Sequence, residues 1–384
     1  MIDLVRFGRL VRLARRRASP RISQTQLAEI ASVTQSFVSD LESGRLRLGP
    51  RNPEIIDKIA ETLGISLEDA HLDATPLDPT DTFGYLPPRA HPSGFRDKVR
   101  GGEFVLTMEI HPPKGVGLRR FQEEALELRQ YADAVNVTDN QRALLKLSPI
   151  ASSRVLLELG VEPICQMACR DRNRLGLQAE MLSAYVLGIR NFFIIMGDPP
   201  EIGDHPDAQP VFDLHSVQML EVAVKLRSGF DMAGNKLNKA PSDIFLGSAC
   251  NPFALDPAVE VSKLKAKIRA GAEFFQTQPV NDTKKFKAFL KLAKPLGAKI
   301  IAGYIPILEQ RTLELLSAIP GVVLPDKVRS RLEKASDFER EGLAIAVETV
   351  EELAELADGV HLMNISRVRP SVMVLRELGE RIRR

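Results

Sequence analysis

Beyond Gly101 the chain repeats one pattern, a short run of apolar residues followed by a longer stretch in which apolar positions recur every three or four residues. Continuous apolar runs predict strands buried on both faces, and the spaced pattern predicts amphipathic helices that cover them; together they predict β-α units and a parallel sheet. Eight candidate strands follow: Phe104 to Met108, Ala134 to Val137, Ile164 to Met167, Asn191 to Met196, Ile244 to Ala249, Phe274 to Thr277, Lys299 to Ala302 and Gly359 to Met363. Among the helical stretches between them are Phe121 to Ala132, Val155 to Leu159, Gln178 to Leu187 and Val261 to Ala270, the last stopped by Ala-Gly-Ala. Eight units in about 280 residues are what a closed (β/α)8 barrel requires. An open doubly wound sheet is the competing architecture, but it would usually carry a G-x-G-x-x-G turn after its first strand, and none occurs.

The first 72 residues differ in rhythm. Val5, Leu10, Leu13 and Ala14 recur at helical spacing, Ser23 caps a short helix carrying Leu27 and Ile30, Val33 turns into Thr34 to Leu41, and Gly44 stops that helix. Pro53 stands where the first turn of the next helix begins, with Ile55, Ile56, Ile59 and Leu63 as its buried stripe. Five short helices are expected by about Ala70. From Asp73 to Gly94 there are five prolines (Pro76, Pro79, Pro87, Pro88, Pro92) and almost no apolar periodicity, which predicts a semi-rigid linker. The expected division is an all-α domain over 1–72, a linker over 73–100 and a barrel over 101–384.

Composition narrows the function classes. A net charge of +2 excludes an overall polybasic nucleic-acid binder, although seven arginines and no acid between Arg6 and Arg21 concentrate positive potential locally. Three cysteines (Cys165, Cys169, Cys250) cannot form a disulfide framework, and they supply too few ligands for a metal site, so no metal is expected. No apolar stretch approaches the ~20 residues that span a bilayer, and no leader pattern opens the chain, so a cytoplasmic protein is expected.

In such barrels the active site lies at the C-terminal strand ends. There stand Glu109 with His111-Pro112-Pro113-Lys114, Thr138-Asp139-Asn140, Cys169-Arg170-Asp171-Arg172-Asn173, Gly197-Asp198-Pro199-Pro200, Asn251-Pro252, Gln276-Thr277-Gln278, and Asn364 with Arg367. Turns favour Asp, Asn, Gly and Pro for local reasons. That accounts for Asn251 or Pro199 singly, and poorly for Glu109 directly after Val-Leu-Thr-Met.

Together with Ala-Gly-Ala (270–272), Thr-Gln-Pro-Val (277–280), Ala-Gly-Tyr-Ile-Pro-Ile (302–307) and Leu-Pro-Asp-Lys-Val (324–328), these segments resemble methylenetetrahydrofolate reductase from about Gly101 to Arg384. The resemblance implies a barrel that holds FAD, with FMN as the alternative, and reduces 5,10-methylenetetrahydrofolate to 5-methyltetrahydrofolate with NADH or NADPH. It implies a general-acid role for Glu109, a place beside flavin and pterin for Asp198, a pterin contact for Gln278 and a folate contact for Arg367. Thr138, Gln166, Gly197, Asn251 and Lys267 fall where the family binds flavin. A homo-oligomer is expected.

The segments Ser23-Gln24-x-x-Leu27-Ala28, Val33-Thr34-Gln35-x-x-Val38-Ser39 and Ile59-Ala60-x-x-Leu63-Gly64-Ile65 resemble the Cro/lambda-repressor class of helix-turn-helix domains. That class would place Gln24 near DNA phosphate and present Thr34, Gln35 and Ser36 on a recognition helix in the major groove. Two functions of different kinds are therefore expected as alternatives, an active reductase with an accessory domain and a transcriptional regulator whose barrel senses flavin or folate without turnover.

Overall fold

The structure is a computed structural model that describes residues 4–18, 20–43, 54–65, 94–318, 324–365, 367–379 and 381–382. It divides into two compact units, residues 1–85 and 86–384. In the first, the described residues form four helices: α1 (Leu4–Arg17), α2 (Gln24–Ala31), α3 (Gln35–Glu42) and α4 (Glu54–Leu63). Ser23 opens α2 with a reciprocal cap, its hydroxyl accepting from Gln26 N while Gln26 Oε1 accepts from Ser23 N. Thr34 caps α3 in one direction only, its hydroxyl accepting from Phe37 N. The helices close over Phe7, Val11, Leu27, Val38, Leu41 and Ile59. Leu13 and Ile30, expected in the apolar stripes, are exposed instead. In helices this short the buried face is set by the neighbouring helices, and Phe7, Val11, Ala28 and Ala31 take it. Gly44, Pro53, the Pro-rich stretch and any fifth helix lie outside the described residues.

In the second unit a short helix, α5 (Gly94–Gly101), occupies residues assigned to the linker. Its Phe95 and Val99, one turn apart, are buried with the residues at the lower ends of the strands that follow. Those strands are β1 (Val105–Ile110), β2 (Ala134–Val137), β3 (Pro163–Ala168), β4 (Asn191–Ile195), β5 (Phe245–Cys250), β6 (Phe274–Thr277), β7 (Ile300–Tyr304) and β8 (Gly359–Leu362). All are parallel, each pairs with its sequence neighbour, and β8 closes on β1 through Thr107 opposite His361. The eight expected strands are present with ends displaced by at most two residues, and the extension of β1 to Ile110 places Glu109 within a strand.

The outer layer is α6 (Arg119–Leu128), α7 (Pro149–Glu158), α8 (Arg174–Val186), α9 (Ser216–Arg227), α10 (Pro257–Arg269) and α11 (Thr283–Ala293), followed after β7 by α12 (Gln310–Ala318), α13 (Asp326–Lys334) and α14 (Phe338–Leu356), and after β8 by α15 (Arg369–Leu378). Alternate strand residues face these helices, as Met108, Val135 and Cys165 do. The other set faces inward and changes character with height. At the floor Phe193, Phe245 and Phe274 pack with Ile164 and Ile301, and the Phe95 ring meets Phe245 and Phe274 edge-on at 5.8 and 5.2 Å. Gly247 makes room for the Phe274 ring, which a Cβ at that position would strike. Above the floor lies a buried polar layer in which Asn136 and Gln276 exchange two hydrogen bonds (2.6 and 2.9 Å), Gln276 donates to Thr107, and Thr107 meets His361 Nδ1 at 2.9 Å. Every member is hydrogen-bonded, which is the condition for keeping such groups out of water.

Candidate active site

Glu109 stands above that layer, 5 % exposed, opposite Asn136 in the β1–β2 register. Burial pushes its carboxyl up to about 8, against the opposing pull of hydrogen bonds from Gln141, the Asn364 backbone and Gln166. No cation is among those partners, so Glu109 is a neutral acid at pH 7. Asn364 also donates from Nδ2 to the Glu109 carbonyl (2.8 Å) and accepts from Ser371 Oγ (2.7 Å), tying the loop after β8 to the end of β1.

His111 lies beside it, with Nε2 3.8 Å from Glu109 Oε1. Its Nε2 meets the Asn364 carbonyl at 2.7 Å and its Nδ1 meets Thr138 Oγ1 at 3.2 Å. A carbonyl can only accept, so Nε2 carries the proton and Nδ1 accepts from the threonine hydroxyl. Burial, helped by the fields of Lys146 and Arg120, lowers the imidazole to about 4, so His111 is neutral too.

The loop after β2 covers this pair. Asn140, Arg142 and Ala143 all have left-handed backbones (φ 44°, 57° and 53°), an arrangement that costs residues with a Cβ and needs outside support. The support is carboxylate. Asp198 accepts from Arg142 N at 2.8 Å, and Asp204 accepts from Leu145 N at 3.0 Å and from Lys114 Nζ at 2.6 Å. Lys114, with His205 and the Leu145 amide, holds the Asp204 carboxyl well below the usual carboxylate range. Gln141, in the same loop, reaches Glu109 Oε1 at 3.4 Å. Behind the loop Arg170, 2 % exposed, pairs with Asp171 (2.6 Å) and donates to the carbonyls of Asp198 (2.9 Å) and Asn140 (3.4 Å). Gly197 has φ +89° and packs on Ala168 and Arg170, where a Cβ would be crowded.

Of the residues expected to carry function, Glu109, Thr138, Gln166, Gly197 and Asp198 thus share one mouth. Gln166 hydrogen-bonds Glu109 itself. Asn251 and Lys267 stand on the β5 side: Asn251 Oδ1 caps a turn at Phe253 N, and the Lys267 ammonium rests on the Ala249 carbonyl, its pKa lowered by burial. Gln278 and Arg367 are exposed beyond the ends of β6 and β8. His111, Gln141, Arg170 and Asn364 were not singled out by the sequence; three of them stand in the quoted strand-end motifs, and only their contacts mark them. The three cysteines are buried thiols, and among the described residues no three metal-ligating side chains come together.

In the N-terminal unit, Arg15 pairs with Glu42 through two hydrogen bonds (2.6 and 3.0 Å), Gln24 donates to Glu42 (2.8 Å), and Gln35 donates to Gln24 (2.7 Å). Arg15, one of the seven clustered arginines, is therefore committed inside the domain. Gln35 is exposed at the start of α3 on this relay, and Thr34 and Ser36, also exposed, share a hydroxyl contact at 2.9 Å.

Among solved structures, the barrel is similar to a Clostridium thermocellum protein described as binding two copies of 5-methyl-5,6,7,8-tetrahydrofolic acid. The TM-score is 0.52, with 17 % identity over 74 % of this chain and 98 % of that one. Residues 6–72 match a helix-turn-helix domain profile. A probable methylenetetrahydrofolate reductase (NADPH) of Caenorhabditis elegans is 24 % identical over 71 % of this chain and 42 % of its own length. Methylenetetrahydrofolate reductase 2 of Schizosaccharomyces pombe is 22 % identical over 74 % of this chain and 46 % of its own. The chain thus spans less than half the length of these curated relatives. Residues 94–379 match the methylenetetrahydrofolate reductase profile, and the chain belongs to that family.

Proposed function

We propose that the barrel reduces 5,10-methylenetetrahydrofolate to 5-methyltetrahydrofolate, drawing electrons from NADH or NADPH. The observation that carries this reading is the neutral Glu109 at the mouth of the barrel. The bridging methylene is a poor electron-pair acceptor until one of its C–N bonds opens, and opening needs a proton on the departing nitrogen. Glu109, with a pKa near 8, holds that proton at physiological pH and is close enough to it to give it up. The carboxylate left behind is received by the donors already in place, Gln141, Gln166 and the Asn364 amide. His111 cannot compete as the acid, because it is neutral and its one N–H is spent on the Asn364 carbonyl.

The family's flavin fits the donors available on β2 to β5 in kind. Thr138 and Gln166 offer an uncharged hydroxyl and amide, Gly197 offers backbone without a side chain, and Lys267 offers a half-buried cation for phosphate. In this structure Lys267 leans on a carbonyl, which a phosphate oxygen would replace with a stronger acceptor. Asp198 and the Asn251 loop border the same space. A bound FAD or FMN would supply a two-electron carrier, reduced by the nicotinamide and reoxidised by the folate in alternate half-reactions. Gln278 and Arg367, exposed on the rim, are the side chains proposed to bind the pterin and the rest of the folate.

For the N-terminal unit we propose DNA binding, with α3 in the major groove and Gln35 and Ser36 toward base edges. The buttressing of Gln35 by Gln24 and Glu42 supports it, since a rigid side chain loses less freedom on binding.

The test is direct. Full-length protein is incubated with 5,10-methylenetetrahydrofolate and either NADH or NADPH, with FAD, FMN or neither added, and the folates are separated by chromatography. Formation of 5-methyltetrahydrofolate is expected; its absence under every combination would overturn the reading.

A further inference from the structure

Three donors face the Glu109 carboxyl, and they are held unequally. Gln141 reaches it at 3.4 Å from a loop with three left-handed residues, and Gln166 reaches it from β3. The third is the backbone amide of Asn364, two residues past Leu362, which stands opposite Met108 where β8 closes on β1. Every other polar group of Asn364 is committed as well. Its carbonyl accepts from His111 Nε2 (2.7 Å), its Nδ2 donates to the Glu109 carbonyl (2.8 Å), and its Oδ1 accepts from Ser371 Oγ (2.7 Å). Asn364 thus grips Glu109 at both the backbone and the carboxyl.

Ser371 is fully buried in the first turn of α15. A serine inside a helix commonly returns its hydroxyl to the carbonyl one turn back, but that of Ser371 reaches out to Asn364. The amide of Asn364 favours the ionised carboxyl, because an N–H donates more strongly to a carboxylate than to a neutral acid. It therefore counts most once the proton has left. Its aim is set by the side chain of Asn364, which Ser371 secures, and by the carbonyl that His111 holds. Of titratable groups, His111 stands 3.8 Å from the carboxyl and is neutral, while Lys146 and Arg120 act on His111 in turn. Removing the Ser371 hydroxyl alters none of these charges.

We propose that Ser371 and His111 are positioning residues for the acid: acting through Asn364 from two sides, they aim its amide at the Glu109 carboxyl and ease release of the proton. The inference rests on the proposed function, in which Glu109 gives its proton to the departing folate nitrogen and is left as the carboxylate. It extends that reading to a residue of the outer helices.

The experiment follows the carbonyl stretch of the protonated Glu109 carboxyl by infrared difference spectroscopy from pH 6 to pH 10, on full-length protein without ligand and with Glu109→Gln as the blank. Ordinary carboxyls are ionised across that range. The wild-type band should disappear with a midpoint near 8. Ser371→Ala is expected to move the midpoint up by about one pH unit, a tenfold weaker acid, and Ser371→Thr, which keeps the hydroxyl, should restore it. His111→Phe fills the place of the ring but cannot donate to the Asn364 carbonyl, and should shift the midpoint the same way. Should Ser371→Ala fail to fold, Ser371→Ala with Asn364→Ala removes both partners, leaves neither unpaired, and is expected to show the same shift. In single turnovers with 5,10-methylenetetrahydrofolate these variants should be slower by up to about tenfold, with electron uptake from the nicotinamide unchanged. A midpoint that stays at the wild-type value in both serine variants, even with stability reduced, would make Ser371 a tie between β8 and α15 and overturn the inference. Wild-type protein that makes no 5-methyltetrahydrofolate, whatever its spectra, would overturn the functional reading and this inference with it.

Discussion

The Glu109 carboxyl and the His111 ring lie 3.8 Å apart and are both uncharged at neutral pH. They are a buried acid and a buried base that do not exchange a proton, because desolvation moves their pKa values in opposite directions, to about 8 and about 4. Stability should follow. An unfolded glutamate ionises near 4.5, so the native state binds the extra proton between there and 8, and stability is lost as pH rises through that window. Relative to Glu109→Gln, the wild-type barrel is expected to lose on the order of 4 kcal/mol between pH 5 and pH 9, read from denaturant midpoints. His111 works the other way. Its stabilising contribution is present above 6.5 and is lost as pH falls toward 4, and His111→Phe should flatten that acid limb.

The covering loop is held by Asp198 and strained at three residues. Asp198→Ala removes the acceptor of the Arg142 amide, and that amide is expected to exchange with solvent faster by the equivalent of about 2 kcal/mol, measured by hydrogen exchange. Ala143→Gly relieves a left-handed alanine at φ 53° and should slow the same opening, by up to about 1 kcal/mol.

The barrel floor depends on Phe95, whose helix lies where the proline pattern predicts a linker. Phe95→Ala empties a fully buried ring site and should cost about 3–5 kcal/mol in urea unfolding followed by circular dichroism. Gly247→Ala should be as damaging for the opposite reason, because the added methyl meets the Phe274 ring.

The floor also shows what is legible in a sequence of this kind. The strands stand out because parallel strands buried on both faces are mostly apolar, most plainly in Phe192-Phe193-Ile194-Ile195. Helix α5 does not, since it offers two apolar residues over eight positions directly after a Pro-rich stretch. Glu109 is visible because a carboxylate ending an apolar strand is costly without a reason. His361, Asn136 and Gln276 carry the same signal inside their strands, but their partners come from strands far apart in the chain. Gln141 and Asn364 reach Glu109 through loop conformation, which no residue spacing encodes. Asn251 was expected at a cofactor, and here its side-chain oxygen is used by a local turn.

In the N-terminal unit, Glu42 is 7 % exposed, and although burial pushes its carboxyl up, Arg15 and Gln24 hold it below the usual range. Glu42→Ala leaves a part-buried guanidinium without its partner and is expected to destabilise that unit by about 3 kcal/mol in thermal unfolding. Gln35→Ala leaves the ion pair intact and should abolish selection among DNA sequences in a randomised-site binding assay while leaving folate reduction unchanged.

In the proposed reaction Glu109 delivers the proton that opens the methylene bridge. The most direct test is the single-turnover rate at which pre-reduced protein converts 5,10-methylenetetrahydrofolate to 5-methyltetrahydrofolate, followed from pH 6 to pH 10 for the wild type and Glu109→Gln. The wild-type rate should fall as pH rises through about 8, and the variant should be slower by about 10^2 to 10^4 while still accepting electrons from the nicotinamide. A variant that keeps the wild-type rate, or a wild-type profile that is flat across pH 8, would contradict it.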